Sequence, residues 1–346
     1  MVMMLTALTV AWATGWGSHL GVNLQSFSAI AVLQALINWP HFMVSYKVLY
    51  FDHRDWKKHS MAMVYVPLVL FLAWFIALYW IATGQVVMAN NFAYLLWVIA
   101  AFYLAWHYVG QTWGVVSLGI LQSGAPIKAS ELMIFRGCLK VMMGWHVVWA
   151  MQQLGDVPIL TELKSATAMG IANGLAVASW MVCLAVFVRI YKRLRRLPEK
   201  IWAPLMLLYL WYVTLWVQPV FALFIQLSHA LQYLIFPAKI QVAKHFEGSH
   251  SSGVRVYDLM GPWGKLGLTY VSCVVLGCFV FWAPFFWGAD NQALTILTGL
   301  LGSLVNIHHY FTDGAIWKLR DPRVRSLLLA PIRSCEPDFS AKGLRA

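Results

Sequence analysis

The chain has 346 residues, of which 61% are hydrophobic and only 11% charged, with a formal net charge of +12. A soluble domain carries about a quarter charged residues, so this composition excludes one and describes an all-α integral membrane protein. The positive charge does not call for a nucleic-acid partner, because Lys and Arg lie almost entirely in short connections between apolar runs, where membrane topology accounts for them.

Runs long enough to cross about 30 Å of hydrocarbon fall near residues 2–17, 25–50, 61–83, 91–122, 130–153, 168–192, 200–217, 219–243, 264–287 and 291–317. They predict about ten transmembrane helices. The range is about nine to eleven, since the first run is short enough to be interfacial and the pair around Gln218 and Pro219 could form one kinked hairpin. The first run lacks the basic start and small-residue cleavage site of a secretory signal and is expected to be retained. Basic residues collect on alternate connections: Arg54 to Lys58, Lys128, Lys192 to Arg196, Lys239 to Arg255, and Lys318 to Arg325. By the positive-inside rule these connections and both termini face the cytoplasm. The expected organisation is a single polytopic domain over 1–325 and a cytoplasmic tail over 326–346. The five cysteines form no CxxC, and those in apolar runs read as small buried hydrophobes.

Histidines interrupt these runs at His41, His107, His146, His229, His308 and His309. An imidazole in hydrocarbon costs free energy unless it meets a partner, a cavity or a metal. Counted at about 1.5 Å per residue from the cytoplasmic ends, His41, His107, His229 and the His308-His309 pair fall within about 10 Å of a common depth. His146 lies further toward the opposite leaflet. Asn38, His41 and Ser45 share a helix face, as do His107 and Gln111, His229 and Gln232 or Gln226, and His309 and Asp313. An amide or carboxylate one turn away commonly fixes the tautomer of a ligating imidazole. Asp313 could ligate, orient His309, or pair with Lys318 or Lys47. Imidazoles without a thiolate at matching depth suit iron, copper or zinc, and haem could be held between two opposed histidines with Gly110, Gly114 and Gly144 making room.

Trp39, Trp106, Trp113 and Trp145 sit beside these histidines, either as core packing or as a wall for an apolar substrate. Arg136 and Lys140 either snorkel to the interface or receive an anionic group. His19, His53, His59, His245 and His250 lie in connections and read as exposed or interfacial.

The layout of Pro40-His41 in an early span, His107 followed by Gly110, Ser228-His229, and His308-His309 late in the chain resembles the scattered histidines of the Brp/Blh family. These are bacterial and archaeal membrane enzymes that cleave β-carotene to retinal with iron and dioxygen. This chain departs from that family in carrying His-His followed by Asp. The segment from Asn306 to Arg323 also resembles multi-pass bacterial membrane proteins of unassigned function. The resemblance implies non-haem iron, a bacterial inner membrane and dioxygen as co-substrate.

The sequence is thus expected to encode a membrane-embedded non-haem iron oxygenase acting on a lipid-soluble isoprenoid, carotenoid or acyl chain. His41, His107, His229, His308 and His309 would hold the metal. Asp313 and Gln111 would ligate or orient, and His146 would ligate peripherally or carry a proton. A separate protein would donate electrons if the reaction needs them. The alternatives are a haem-binding electron-transfer or quinone-reactive protein and a proton-coupled transporter.

Overall fold

The computed structural model describes residues 32–53, 56–153, 165–217, 221–246, 261–281 and 292–329, and among these every regular element is helical. We number them α1 (Trp39–Lys47), α2 (Val66–Ala82), α3 (Val86–Ser123), α4 (Ala129–Gln152), α5 (Ala166–Leu194), α6 (Glu199–Val217), α7 (Ala222–Phe246), α8 (Pro262–Phe281), α9 (Gln292–Ile316) and α10 (Pro322–Leu329). The first expected span, 2–17, and the tail after 329 lie outside the described residues, as does the Gln218-Pro219 turn.

By length and composition, five stretches can cross a membrane: Met61–Ala82 with α2, and helices α3, α5, α6 and α8. Their outer faces carry large apolar side chains that water would not tolerate, such as Leu68, Phe71 and Leu72 on α2 and Val271 and Phe279 on α8. The protein is therefore membrane-like in construction. Helices α4, α7 and α9 are of similar length and carry charged or imidazole side chains within their runs, such as Arg136 and Lys140 on α4, His229 on α7, and His309 and Asp313 on α9.

Turns follow local chemistry. Gly84 and Gly124 adopt positive φ and end α2 and α3, conformations that cost an L side chain about 1–2 kcal/mol. Ser165 caps α5 by accepting from Ala168 N–H at 3.1 Å. Glu131 accepts from Lys128 N–H and from Arg193, both at 2.8 Å, tying the start of α4 to the end of α5. Asp321 caps α10 through the Arg323 amide at 2.9 Å and takes the Lys58 ammonium at 2.6 Å. That lysine holds the Asp321 carboxyl below its ordinary value.

Helix α3 is the central post, packing on α9, α6, α4 and α2, while α1 leans on α8 and α7 on α8 and α10. The main core fills the space among α3, α4, α5 and α6 with Phe135, Leu139, Ile190, Leu205 and Leu208. A smaller one joins α2, α3 and α9 through Ala77, Leu96 and Leu300. Two prolines shape the crossings. Pro204 inside α6 cannot donate to the Lys200 carbonyl one turn earlier. That carbonyl faces Gly119 of α3, where a Cβ would lie only 2.3 Å from it. Gly119→Ala should therefore push α3 off α6 and destabilise the protein by about 1–3 kcal/mol. A thermal melt in detergent checks this; an unchanged midpoint would mean the crossing yields without cost. Pro40 likewise offers no N–H to the Leu36 carbonyl, which takes the Tyr270 hydroxyl of α8. Wider π-helical turns, Gln34–Asn38 and Val48–His53, flank α1 on both sides of His41.

Candidate metal centre

Four helices each bring one histidine to the same point: His41 from α1, His107 from α3, His229 from α7 and His309 from α9. One ring nitrogen of each lies within 4.8 Å of the other three. Nε2 of His107 and Nε2 of His229 are 3.0 Å apart. All four residues are buried, His41 and His309 to 1% exposure. Around one ion with bonds of ~2.1 Å, adjacent nitrogens are separated by about 3.0 Å and opposite ones by about 4.2 Å. The observed spacing fits a single ion after small side-chain adjustments.

Hydrogen bonding supports the same fit. Both ring nitrogens of His41 and His309, and Nδ1 of His229, have no hydrogen-bond partner. A buried polar atom left unpaired costs about 1–3 kcal/mol, so the His41 and His309 nitrogens at the common point, which have no hydrogen-bond partner, are donors awaiting an acceptor of their lone pairs. The rings pack edge to face, with centroids 4.4 Å apart for His41 and His309 and 5.1 Å for His41 and His229.

Asp313 stands one helical turn beyond His309. Its Oδ1 accepts from Ser45 Oγ and from the Tyr233 hydroxyl, each at 2.8 Å. Trp317 Nε1 donates in turn to the Tyr233 oxygen. The other carboxylate oxygen, Oδ2, is unpaired and lies 3.4 Å from His309 Nε2 and 3.7 Å from His107 Nε2. One oxygen is anchored and the other is aimed at the histidines, an arrangement that suits a fifth ligand or a proton acceptor beside the ion.

The remaining expected residues occupy different positions. His308 turns away from the four nitrogens, because neighbours on a helix point about 100° apart and only one can face inward. Its Nε2 lies 2.9 Å from the Ala62 carbonyl and 3.3 Å from the Tyr50 hydroxyl, and its ring stacks on Tyr46. His146 stands behind Tyr108, whose ring separates it from His229, and packs against Tyr212 at 5.4 Å. Gln111 does not touch a ring; its amide atoms are unpaired and it lines a cavity that begins at His107 and Asp313. Gln226 hydrogen-bonds Gln34 at 3.5 Å instead of serving His229. His59 is buried, at 6% exposure, rather than exposed as its place in a connection suggests. Of the tryptophans, Trp106 lines the cavity, Trp145 donates to Asn173 at 2.7 Å, and Trp113 carries the Arg136 guanidinium 4.4 Å above its ring.

Tyr233 is the residue the sequence reading missed. The signal was present, since Tyr233 follows His229 by four and shares its helix face. No protein-family model, curated protein or solved structure matches this chain.

Proposed function

We propose that this protein is a membrane-embedded, histidine-ligated non-haem iron oxygenase acting on a lipid-soluble substrate. One observation carries the reading: four buried imidazoles and one free carboxylate oxygen converge, and two of these residues, His107 and Asp313, line a mostly apolar cavity of about 220 Å³. Ligands of this type suit iron or copper with positions left open for chemistry, and such a metal supplies the electron steps that dioxygen needs.

This chain's own residues have defined parts. His41, His107, His229 and His309 hold the ion, with Asp313 as a further ligand or as the group that takes up a proton at Oδ2. Ser45 and Tyr233 fix that carboxylate through Oδ1. Trp106 and Phe236 line the apolar walls beside the site. Gln111 presents the polar group beyond His107 that can orient a substrate. Haem fits less well, since imidazole rings packed at 4.4–5.1 Å leave no slot for a macrocycle among them. The ten-span count, cytoplasmic termini and bacterial inner membrane belong to the same proposal, supported by the basic connections. Electrons, if the reaction needs them, come from a separate donor.

Elemental analysis with absorption and electron paramagnetic resonance spectra, on protein purified in mild detergent without chelator, tests the reading. About one iron per chain without a Soret band is expected, with dioxygen uptake on addition of substrate. A Soret band, or a folded protein that binds no transition metal when offered one, would sink it.

A further inference from the structure

The cavity that opens from the histidine site has a shape and a chemical gradient. Its wall on α3 is one continuous stripe, His107, Gly110, Gln111, Gly114, Val115 and Leu118, spaced by threes and fours. That stripe is about 16 Å long at 1.5 Å per residue. Helix α7 faces it with Tyr233 and Phe236 across the cavity, and the two helices meet at His107 and His229 and again where Leu118 clusters with Phe236 and Ile240. Gly110 and Gly114 leave open space: a Cβ at either would meet nothing within 4 Å. The volume falls below the roughly 300–1,000 Å³ of pockets for drug-sized ligands, yet it is drawn out along a helix. It suits one slim chain rather than a ring system.

The two ends differ. Beside the histidines, the cavity meets the unpaired Asp313 Oδ2, 93% buried with its residue, and the unpaired amide of Gln111. At the other end it is bounded by Leu319 and Leu328, the latter on the apolar face of α10. Basic groups surround that end. Lys239 donates from Nζ to the Leu328 carbonyl at 2.5 Å, Lys200 lies close enough to repel it, and Lys318 and Arg320 flank Leu319. Partial burial, then Arg320 and Lys58, hold the Lys318 ammonium below its ordinary value. Asp321, one position beyond Arg320, is engaged by Lys58.

We infer that this cavity binds a single unbranched acyl or alkyl chain with an anionic head group, the head at the Lys239, Lys318 and Arg320 end and the far end of the chain beside His107 and Asp313. Charge complementarity sets the direction, and the stripe length matches about a dozen bonds of extended chain at ~1.2 Å each. The inference rests on the proposed oxygenase and names its substrate class: the reacting carbon lies remote from the head group.

Photo-crosslinking with two palmitic acid probes tests this without any turnover. One carries an aliphatic diazirine near the terminal methyl, the other near the carboxylate. Labelled sites are read by mass spectrometry on the full chain in nanodiscs, alongside the metal content of the same samples. The terminal probe should label the segments around Gln111 and Asp313, and the other those around Leu319 and Leu328. Palmitate should compete, and its methyl ester at least tenfold less well. Gly114→Leu and Gly110→Leu should each cut terminal labelling at least tenfold, whereas Gly137→Leu, on the exposed side of α4, should not. Melting curves in detergent identify any variant that fails to fold, and the second glycine then decides. Reversed labelling, equal competition by the ester, or terminal labelling spread over outer helix faces and indifferent to both glycine variants would overturn the inference. Such a failure in iron-loaded protein leaves the oxygenase reading standing; the expected labelling in protein that binds no metal sinks that reading alone.

Discussion

His309→Ala should abolish stoichiometric metal binding, while His308→Ala, one position earlier, should leave it intact. The two side chains share a helix turn, a depth and a sequence context, yet they point about 100° apart. His309 is 1% exposed, and both its nitrogens lack partners. Its ring touches His41 at 4.4 Å and Phe42 at 4.3 Å. Removing it takes away one of four converging donors and leaves a hole that water fills poorly. A loss well beyond the 10–100-fold that follows from disturbing an outer partner is expected in affinity. His308 instead ties α9 to the turn before α2 through the Ala62 carbonyl. Its loss should lower stability by about 0.5–1.5 kcal/mol for the hydrogen bond and leave the metal in place. Mass-spectrometric metal content and thermal melts on both variants separate the cases. Equal loss of metal in two variants that melt as folded proteins would refute the four-histidine centre.

The pair also shows what sequence could and could not reveal. Depth was legible, because hydropathy marks the span ends and the helical rise converts residue number into height. So His41, His107, His229 and one of the His-His pair could be brought to one level before any fold was known. Rotation about each helix axis was not legible. Nothing in a chain that is apolar on most faces states which neighbour of His308 and His309 looks inward; packing of α9 against α1, α2 and α3 decides it. His146, expected as a peripheral ligand or proton carrier, packs on Tyr108, which also contacts His229, an arrangement that depth alone does not reveal. The i, i+4 rule correctly linked Ser45 to His41 and Asp313 to His309, and the same rule applied to α7 would have given Tyr233 in place of Gln226 or Gln232. What the rule cannot give is the cross-helix link from Ser45 and Tyr233 to Asp313, since contacts over 268 and 80 residues of sequence leave no local trace. The cavity between α3 and α7 was invisible for a related reason. Gly110 and Gly114 signalled room that a macrocycle could fill, and only the position of α7 turns them into the wall of a slim cavity.

Asp313→Asn tests the other half of the centre and should weaken metal binding about 10–100-fold. The amide has the volume of the carboxylate, and its carbonyl can still accept from Ser45 Oγ and the Tyr233 hydroxyl. With the carbonyl held there, the NH2 group occupies the place of Oδ2, 3.4 Å from His309 Nε2 and 3.7 Å from His107 Nε2. A negative oxygen facing the donor set becomes a pair of N–H donors, which repel a cation and cannot take up a proton. Flipping the amide turns its neutral carbonyl toward the donor set, which still cannot take up a proton as a carboxylate does, and obliges the Ser45 and Tyr233 hydroxyls to change from donors to acceptors. Tyr233→Phe keeps the charge and removes one of the two donors to Oδ1, so its effect on affinity should be smaller and in the same direction. Metal titrations of both variants, with dioxygen uptake measured at saturating iron, give the ranking. An Asp313→Asn protein that binds iron as tightly as the parent but takes up no dioxygen would assign Asp313 to proton transfer alone. Unchanged affinity together with unchanged uptake would show that Oδ2, despite its orientation and burial, takes no part in the site.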